Sequence, residues 1–131
     1  MKLLLDTHIW LWGLLEPDRL SGPVQAALAD ADNEIWLSPI SVWEALMLVE
    51  RGRLVVTMPA AEWVERMVQA LPRREAPFTH EIAIASRQLT LVHQDPADRF
   101  LAATARVLGL TLVTADERLL HSTEYAVLAN R

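Results

Sequence analysis

Four acidic residues stand out for where they fall in the chain: Asp6, Glu44, Asp98 and Asp116. Asp6 directly follows the apolar run Leu3-Leu4-Leu5, and Asp116 lies two residues past Leu112-Val113-Thr114. In an open parallel sheet, ligands bind beyond the carboxyl ends of the strands. Capping of the following helix accounts equally well for either aspartate taken alone. Glu44 says more, because it is the only charged residue from Ser38 to Val49, among Ile40, Val42, Trp43, Leu46 and Met47. A helix this apolar is buried over most of its surface, and taking a lone carboxylate out of water is costly. Either Glu44 faces a cation or it shares a narrow solvent stripe with Ser41 and Leu48. Leu48 makes a poor solvent face, so a functional Glu44 is the better reading. In Asp95-Pro96-Ala97-Asp98-Arg99 two acids open a helix. Asp95 fits the N-cap and Pro96 the first helical position. Capping and the helix dipole explain Asp95 fully and Asp98 only in part, since one cap suffices.

Carboxylates that repel one another persist together only when a cation relieves them. An oxygen-only set favours Mg²⁺ or Mn²⁺ over zinc, since no His or Cys lies at zinc-ligand spacing. In-line attack of a metal-activated water on a phosphodiester is the chemistry such a set performs best.

The acids can meet only if the intervening elements bring them to one edge. Residues 2–5 read as a buried strand ending at Asp6, and 7–15 as a helix. Ser21 is expected to cap a helix over 22–31 with Pro23 in its first turn. A short strand follows at 34–37, then a helix from Ser38-Pro39 to about Arg51, stopped by Gly52. Another helix runs from Pro59 to about Ala70, and Arg74 to Pro77 reads as a short edge strand. Helices are expected over 79–89, 96–108 (closed by Gly109) and 116–121, with strands at 111–114 and 125–128. Strands separated by helices imply a parallel sheet covered on both faces.

With 131 residues the chain fits one domain, 1–131. Its composition, 52% hydrophobic and 22% charged, is that of a globular protein. Charge-free stretches such as 7–15 and 35–43 run to nine residues, far below the roughly 20 a spanning helix needs. The opening Met1-Lys2-Leu3-Leu4-Leu5 imitates a signal peptide, but Asp6 breaks it and no cleavage site follows. Cysteine is absent, which excludes disulfides, thiolate zinc sites and cysteine nucleophiles and suits the cytoplasm. The net charge of −5 argues at first against a nucleic-acid partner. A carboxylate cluster becomes locally neutral or positive once it holds a divalent ion. Eleven of the 12 basic residues are arginines, whose planar fork suits phosphate. Charge alone decides nothing.

Four blocks of this sequence resemble those of PIN domains, and most of all the VapC toxins of bacterial type II toxin–antitoxin pairs. They are Leu3-Leu4-Leu5-Asp6-Thr7-His8, Ser38-Pro39-Ile40-Ser41-Val42-Trp43-Glu44, Asp95-Pro96-Ala97-Asp98-Arg99-Phe100-Leu101-Ala102-Ala103-Thr104-Ala105 and Leu112-Val113-Thr114-Ala115-Asp116. The resemblance covers nearly the whole chain, in order and spacing. It implies a three-layer α/β/α sandwich around a parallel sheet of four to five strands. It also implies a Mg²⁺- or Mn²⁺-dependent endoribonuclease, a homodimer, and inhibition by a small VapB-type antitoxin. By that similarity Asp6, Asp98 and Asp116 hold the metal, and Glu44 completes the pocket as a ligand or base. Thr114 resembles the hydroxyl residue that supports a ligand, Asp95 is the helix cap, and Arg99 either meets a phosphate or pairs locally.

Other phosphate chemistries fit less well. Haloacid-dehalogenase-type phosphatases need a second aspartate two residues after the first, where this chain has His8. Receiver domains need a late lysine, and the only lysine is Lys2. A PIN-like module that grips RNA or protein without cutting is the reading from a different class, since fold does not establish chemistry. His8, His80 and His121 read as surface or capping residues, while His93, just before Asp95, could approach substrate. Trp10, Trp12, Trp36 and Trp43 read as core or dimer interface, and Trp63 as facing a partner.

Overall fold

The computed structural model describes residues 1–92 and 94–131. Its centre is β1 (Lys2–Leu5), in which Leu3, Leu4 and Leu5 are wholly buried. A strand covered on both faces needs no polar alternation, which is why this run is continuously apolar. Side chains alternate across a strand. Leu3 and Leu5 therefore join one apolar cluster and Leu4 the other.

The first cluster gathers residues of α1 (Thr7–Leu15), α2 (Gly22–Ala29), α3 (Pro39–Glu50) and α4 (Ala60–Gln69). The second gathers those of α5 (His80–Gln88), α6 (Pro96–Leu108) and α7 (Glu117–Leu120). Between them lies a five-stranded sheet that adds β2 (Glu34–Leu37), β3 (Arg74–Glu75), β4 (Thr111–Thr114) and β5 (Ala126–Ala129). All four strand pairings are parallel, in the order β3-β2-β1-β4-β5. This is the three-layer α/β/α architecture expected from the sequence, with five strands.

The winding direction positions the site. From β1 the chain steps outward to β2 and β3 under α1–α4. It then returns over the other face through α5 and α6 to place β4 on the far side of β1. Such a reversal opens a crevice at the carboxyl ends of the two strands that flank it. Here those strands are β1 and β4.

Local chemistry sets the helix ends. Ser38 Oγ accepts from the Ile40 amide at 3.1 Å, and Asp95 Oδ1 from the Ala97 amide at 3.0 Å. Gly52 and Gly109, at φ of 70° and 66°, occupy the left-handed conformation that lets α3 and α6 stop sharply. Ser21 departs from expectation. It holds the N-cap of α2 but makes no capping bond, and its buried hydroxyl lacks a partner among the described residues. Its amide instead donates to Asn130 Oδ1 at 2.7 Å, tying the start of α2 to the chain's end. Helix α2 stops two residues early, β5 begins one residue late, and a 3₁₀ turn at Pro17–Arg19 has no counterpart in the sequence reading. Among the described residues, no helix is long and apolar enough to cross a membrane.

Candidate active site

Asp6, Glu44, Asp98 and Asp116 line one cleft of about 370 Å³, with Asp95, His8, Trp12 and Arg118. Four separate elements supply the acids: the end of β1, the second turn of α3, the first turn of α6 and the start of α7. Asp6 and Asp98 are buried, while Glu44 and Asp116 are half-buried.

Thr114 joins two of these acids. Fully buried, its hydroxyl donates to Asp6 Oδ2 at 2.7 Å and accepts from the Asp116 amide at 3.0 Å. Asp6 takes a further bond on Oδ1 from the Thr7 amide at 2.7 Å. The Thr7 hydroxyl lies 2.6 Å from Glu44 Oε1, to which it donates, and 3.0 Å from the buried Ser41 Oγ. Glu44 therefore turns into the cleft and not onto a solvent stripe.

The acids raise one another's proton affinity. Burial pushes the Asp6 carboxyl up, outweighing the Thr114 bond, nearby His8 and the Thr7 amide, and the charge of Asp116 adds to the rise. Burial likewise raises Glu44, against the Thr7 bond, and Asp6, Asp98 and Asp95 push it further, to about 7. A glutamate raised this far is what burial beside other carboxylates produces.

Among the described residues, no three acid or histidine side chains close round a single point within metal-bonding reach. At Asp116 both carboxylate oxygens turn to Arg118, at 3.1 Å from Nε and 2.9 Å from Nη2. An open ring of hard oxygen donors still fits Mg²⁺ or Mn²⁺. Mg²⁺ in particular keeps several of its waters and takes only one or two carboxylates directly.

Arg99 goes elsewhere. It is 4% exposed, and its guanidinium donates to the carbonyls of Ser86 (Nε, 2.9 Å), Leu89 (Nη2, 2.9 Å) and Leu91 (Nη1, 3.0 Å). Of the two roles expected for it, these bonds supply the local pairing. Asp95 caps α6 as expected.

Thr7, Arg118, His8 and Trp12 belong to this region without having been singled out for it. Arg118, two residues past Asp116, carries no signal of its own in the sequence, since only the fold turns it back onto that carboxylate. His8 and Trp12 carried a usable signal, because their i, i+4 spacing from the start of α1 puts both on one helix face. His8 is exposed, as expected of a surface residue, but the surface is the cleft lip. The expectation for His93 falls outside the described residues. Trp10 is core, whereas Trp43 is 53% exposed. Trp63 packs against the first apolar cluster instead of standing out as a partner anchor.

A winding-reversal crevice ringed by four acids suits a divalent cation, and comparison gives the family. The PIN domain family model matches residues 3–124, and the chain belongs to that family. It is 35% identical over 118 residues to Ribonuclease VapC22 of Mycobacterium tuberculosis, covering 89% of this chain and 88% of that protein. Among solved structures it is similar to FitAcB from Neisseria gonorrhoeae, at 25% identity and a TM-score of 0.67 over 98% of this chain and 97% of that one. It shares its fold with a chain of VapBC2 from Rickettsia felis bound to a promoter DNA fragment, at 16% identity and a TM-score of 0.71 over 98% of each.

Proposed function

We propose that this chain is an endoribonuclease that uses Mg²⁺ or Mn²⁺ to hydrolyse RNA phosphodiester bonds, the toxin of a type II toxin–antitoxin pair. The observation that carries this reading is the meeting of Asp6, Glu44, Asp98 and Asp116 in one cleft of a PIN fold. Relatedness to a protein named a ribonuclease supports the choice of RNA. Asp6, Asp98 and Asp116 would hold the ion, which when bound lowers the pKa of water and offsets phosphate charge. The chain's own groups do the rest. Thr114 fixes the rotamer of Asp6 and, through the Asp116 amide, the start of α7. Glu44, with its pKa near 7, is suited to take the proton of the attacking water, and Thr7 aims it. Arg99 anchors the first turn of α6, and with it Asp98.

A small VapB-type antitoxin is the proposed protein partner, in keeping with the VapBC complexes among the structural neighbours. Exposed Trp43 and Phe78 border a groove of about 440 Å³ beside the cleft, an apolar surface that a second copy would cover in a homodimer. Residues 1–131 act on this reading as one PIN domain, working in the cytoplasm.

The test is cleavage of a cellular RNA pool by the purified protein with Mg²⁺, Mn²⁺ or EDTA, beside Asp98→Asn. Discrete fragments are expected with metal, none with EDTA, and a rate at least about 100-fold lower in the variant. Cutting by Asp98→Asn at the parent rate would overturn that residue's role. Parent protein that binds RNA but cuts none with either metal would make this a non-cleaving module.

A further inference from the structure

The acidic cleft does not end at the acids. Past His8 and Trp12 it opens into a groove of about 430 Å³ lined by Leu11, Leu48, Arg19 and Arg53 among others, and His8 and Trp12 border both spaces. The two aromatic rings stand 5.6 Å apart at 51°, with the imidazole on the solvent side. The Arg19 guanidinium lies 4.3 Å from the Trp12 ring centre and is held by Glu16 at 3.1 Å. Arg53 is exposed and makes no side-chain hydrogen bond or ion pair among the described residues. Arg51 stands with it along the neighbouring wall, beside Glu44 and His8. In a chain of net charge −5, the groove itself carries Arg19 and Arg53 against Glu16 alone, a local excess of positive charge.

Aromatic platforms interleaved with arginines are how proteins take single-stranded nucleic acid, the ring accepting a base face and the cation the adjoining phosphate. We infer that this groove seats the unpaired nucleotides next to the scissile phosphate. One base stacks on His8 backed by Trp12, and the following phosphates meet Arg53 and Arg19. The inference rests on the endoribonuclease reading, and it adds which flank of the strand the protein grips. RNA is favoured because the exposed His8 ring and the Arg53 guanidinium stand together at the cleft lip, as a base and its adjoining phosphate require.

The experiment is fluorescence anisotropy in EDTA with a labelled single-stranded oligoadenylate and the same strand carrying abasic sites, over a salt series. Arg53→Ala is expected to weaken both strands several-fold and to flatten the log–log salt slope by about 0.7, the loss of one phosphate contact. His8→Ala is expected to weaken the oligoadenylate about fivefold or more and leave the abasic strand unchanged, a difference that mere unfolding would not produce. If both variants bind both strands like the parent while the parent cuts cellular RNA, the groove assignment falls and the nuclease reading stands. A parent that cuts RNA but binds no oligoadenylate has the same meaning. A parent that neither binds nor cuts any RNA overturns both. Undiminished RNA binding by Arg53→Ala, together with lost assembly with the antitoxin, would give the groove to the protein partner.

Discussion

Asp98 and Arg99 are neighbours in sequence and almost equally buried, yet they lead into regions of opposite character. On the Arg99 side a cation sits among three backbone carbonyls at 2.9–3.0 Å, every one aimed at it. On the Asp98 side carboxylates crowd together, and both Asp6 and Glu44 hold protons more tightly than usual. A buried charge that is fully matched secures the fold, whereas a group of buried charges left short of counter-charge stores affinity for a ligand. A single residue along the helix separates the two uses of burial.

The strongest way to break this comparison is to remove the matched charge. Arg99→Ala strands three carbonyls and leaves a void, and is expected to lower stability by about 3–5 kcal/mol. In a thermal melt that is a loss of roughly 10 °C or more. Lysine should rescue little, since one ammonium cannot span three acceptors. A variant melting within a degree or so of the parent would show that the nest is not what holds α5 to α6.

A smaller and opposite effect is expected in the cleft. Glu44 has its folded pKa raised from 4.5 to about 7, so its protonated form is favoured in the fold. Its contribution to stability is fully present below the unfolded value and is lost as pH rises through 7. Without divalent metal, Glu44→Gln should therefore melt about 2–4 °C above the parent at pH 8, after allowance for solvent screening, and match it at pH 4. Adding Mg²⁺ should reverse the order at pH 8. A parent whose metal-free stability does not fall between pH 5 and 8 would mean that the cleft acids are not in tension.

The smallest effect sharpens the contrast. Arg66 and Glu62 form an exposed i, i+4 pair at 3.2 Å on α4. Arg66→Gln is expected to change stability by less than about 0.5 kcal/mol in urea titration, because water screens such pairs. A loss comparable to that of Arg99 would show that burial does not set the ranking.

What could be read before folding was what local chemistry controls. The leucines before Asp6 can only be a strand buried on both faces, and Asp95-Pro96 with Gly109 marks both ends of α6 without reference to anything else. Glu44 was conspicuous because its neighbours leave it nowhere neutral to go. The contacts that complete the site are different in kind. The Thr7–Glu44 bond joins residues 37 apart and forms only once β2 has paired beside β1, while the Thr114–Asp6 bond joins residues 108 apart and waits until the sheet has wound back on itself. The nest around Arg99 depends on the path of the backbone past α5, which no pattern of side chains encodes. Ser21 shows the converse error: its position suits a cap, but packing against the chain's end turned its hydroxyl inward.

The winding reversal also bears on the order of synthesis. A ribosome releases Asp6 and Glu44 early, but the crevice between β1 and β4 has no second wall until Thr111–Thr114 has emerged and paired. Until then the strand beside β1 on that side is missing, Thr114 cannot reach Asp6, and Asp116 has no fixed place. Every nascent chain shorter than that is therefore geometrically disarmed. On the proposed reading, the chain acquires the means to act only after β4 has paired with β1.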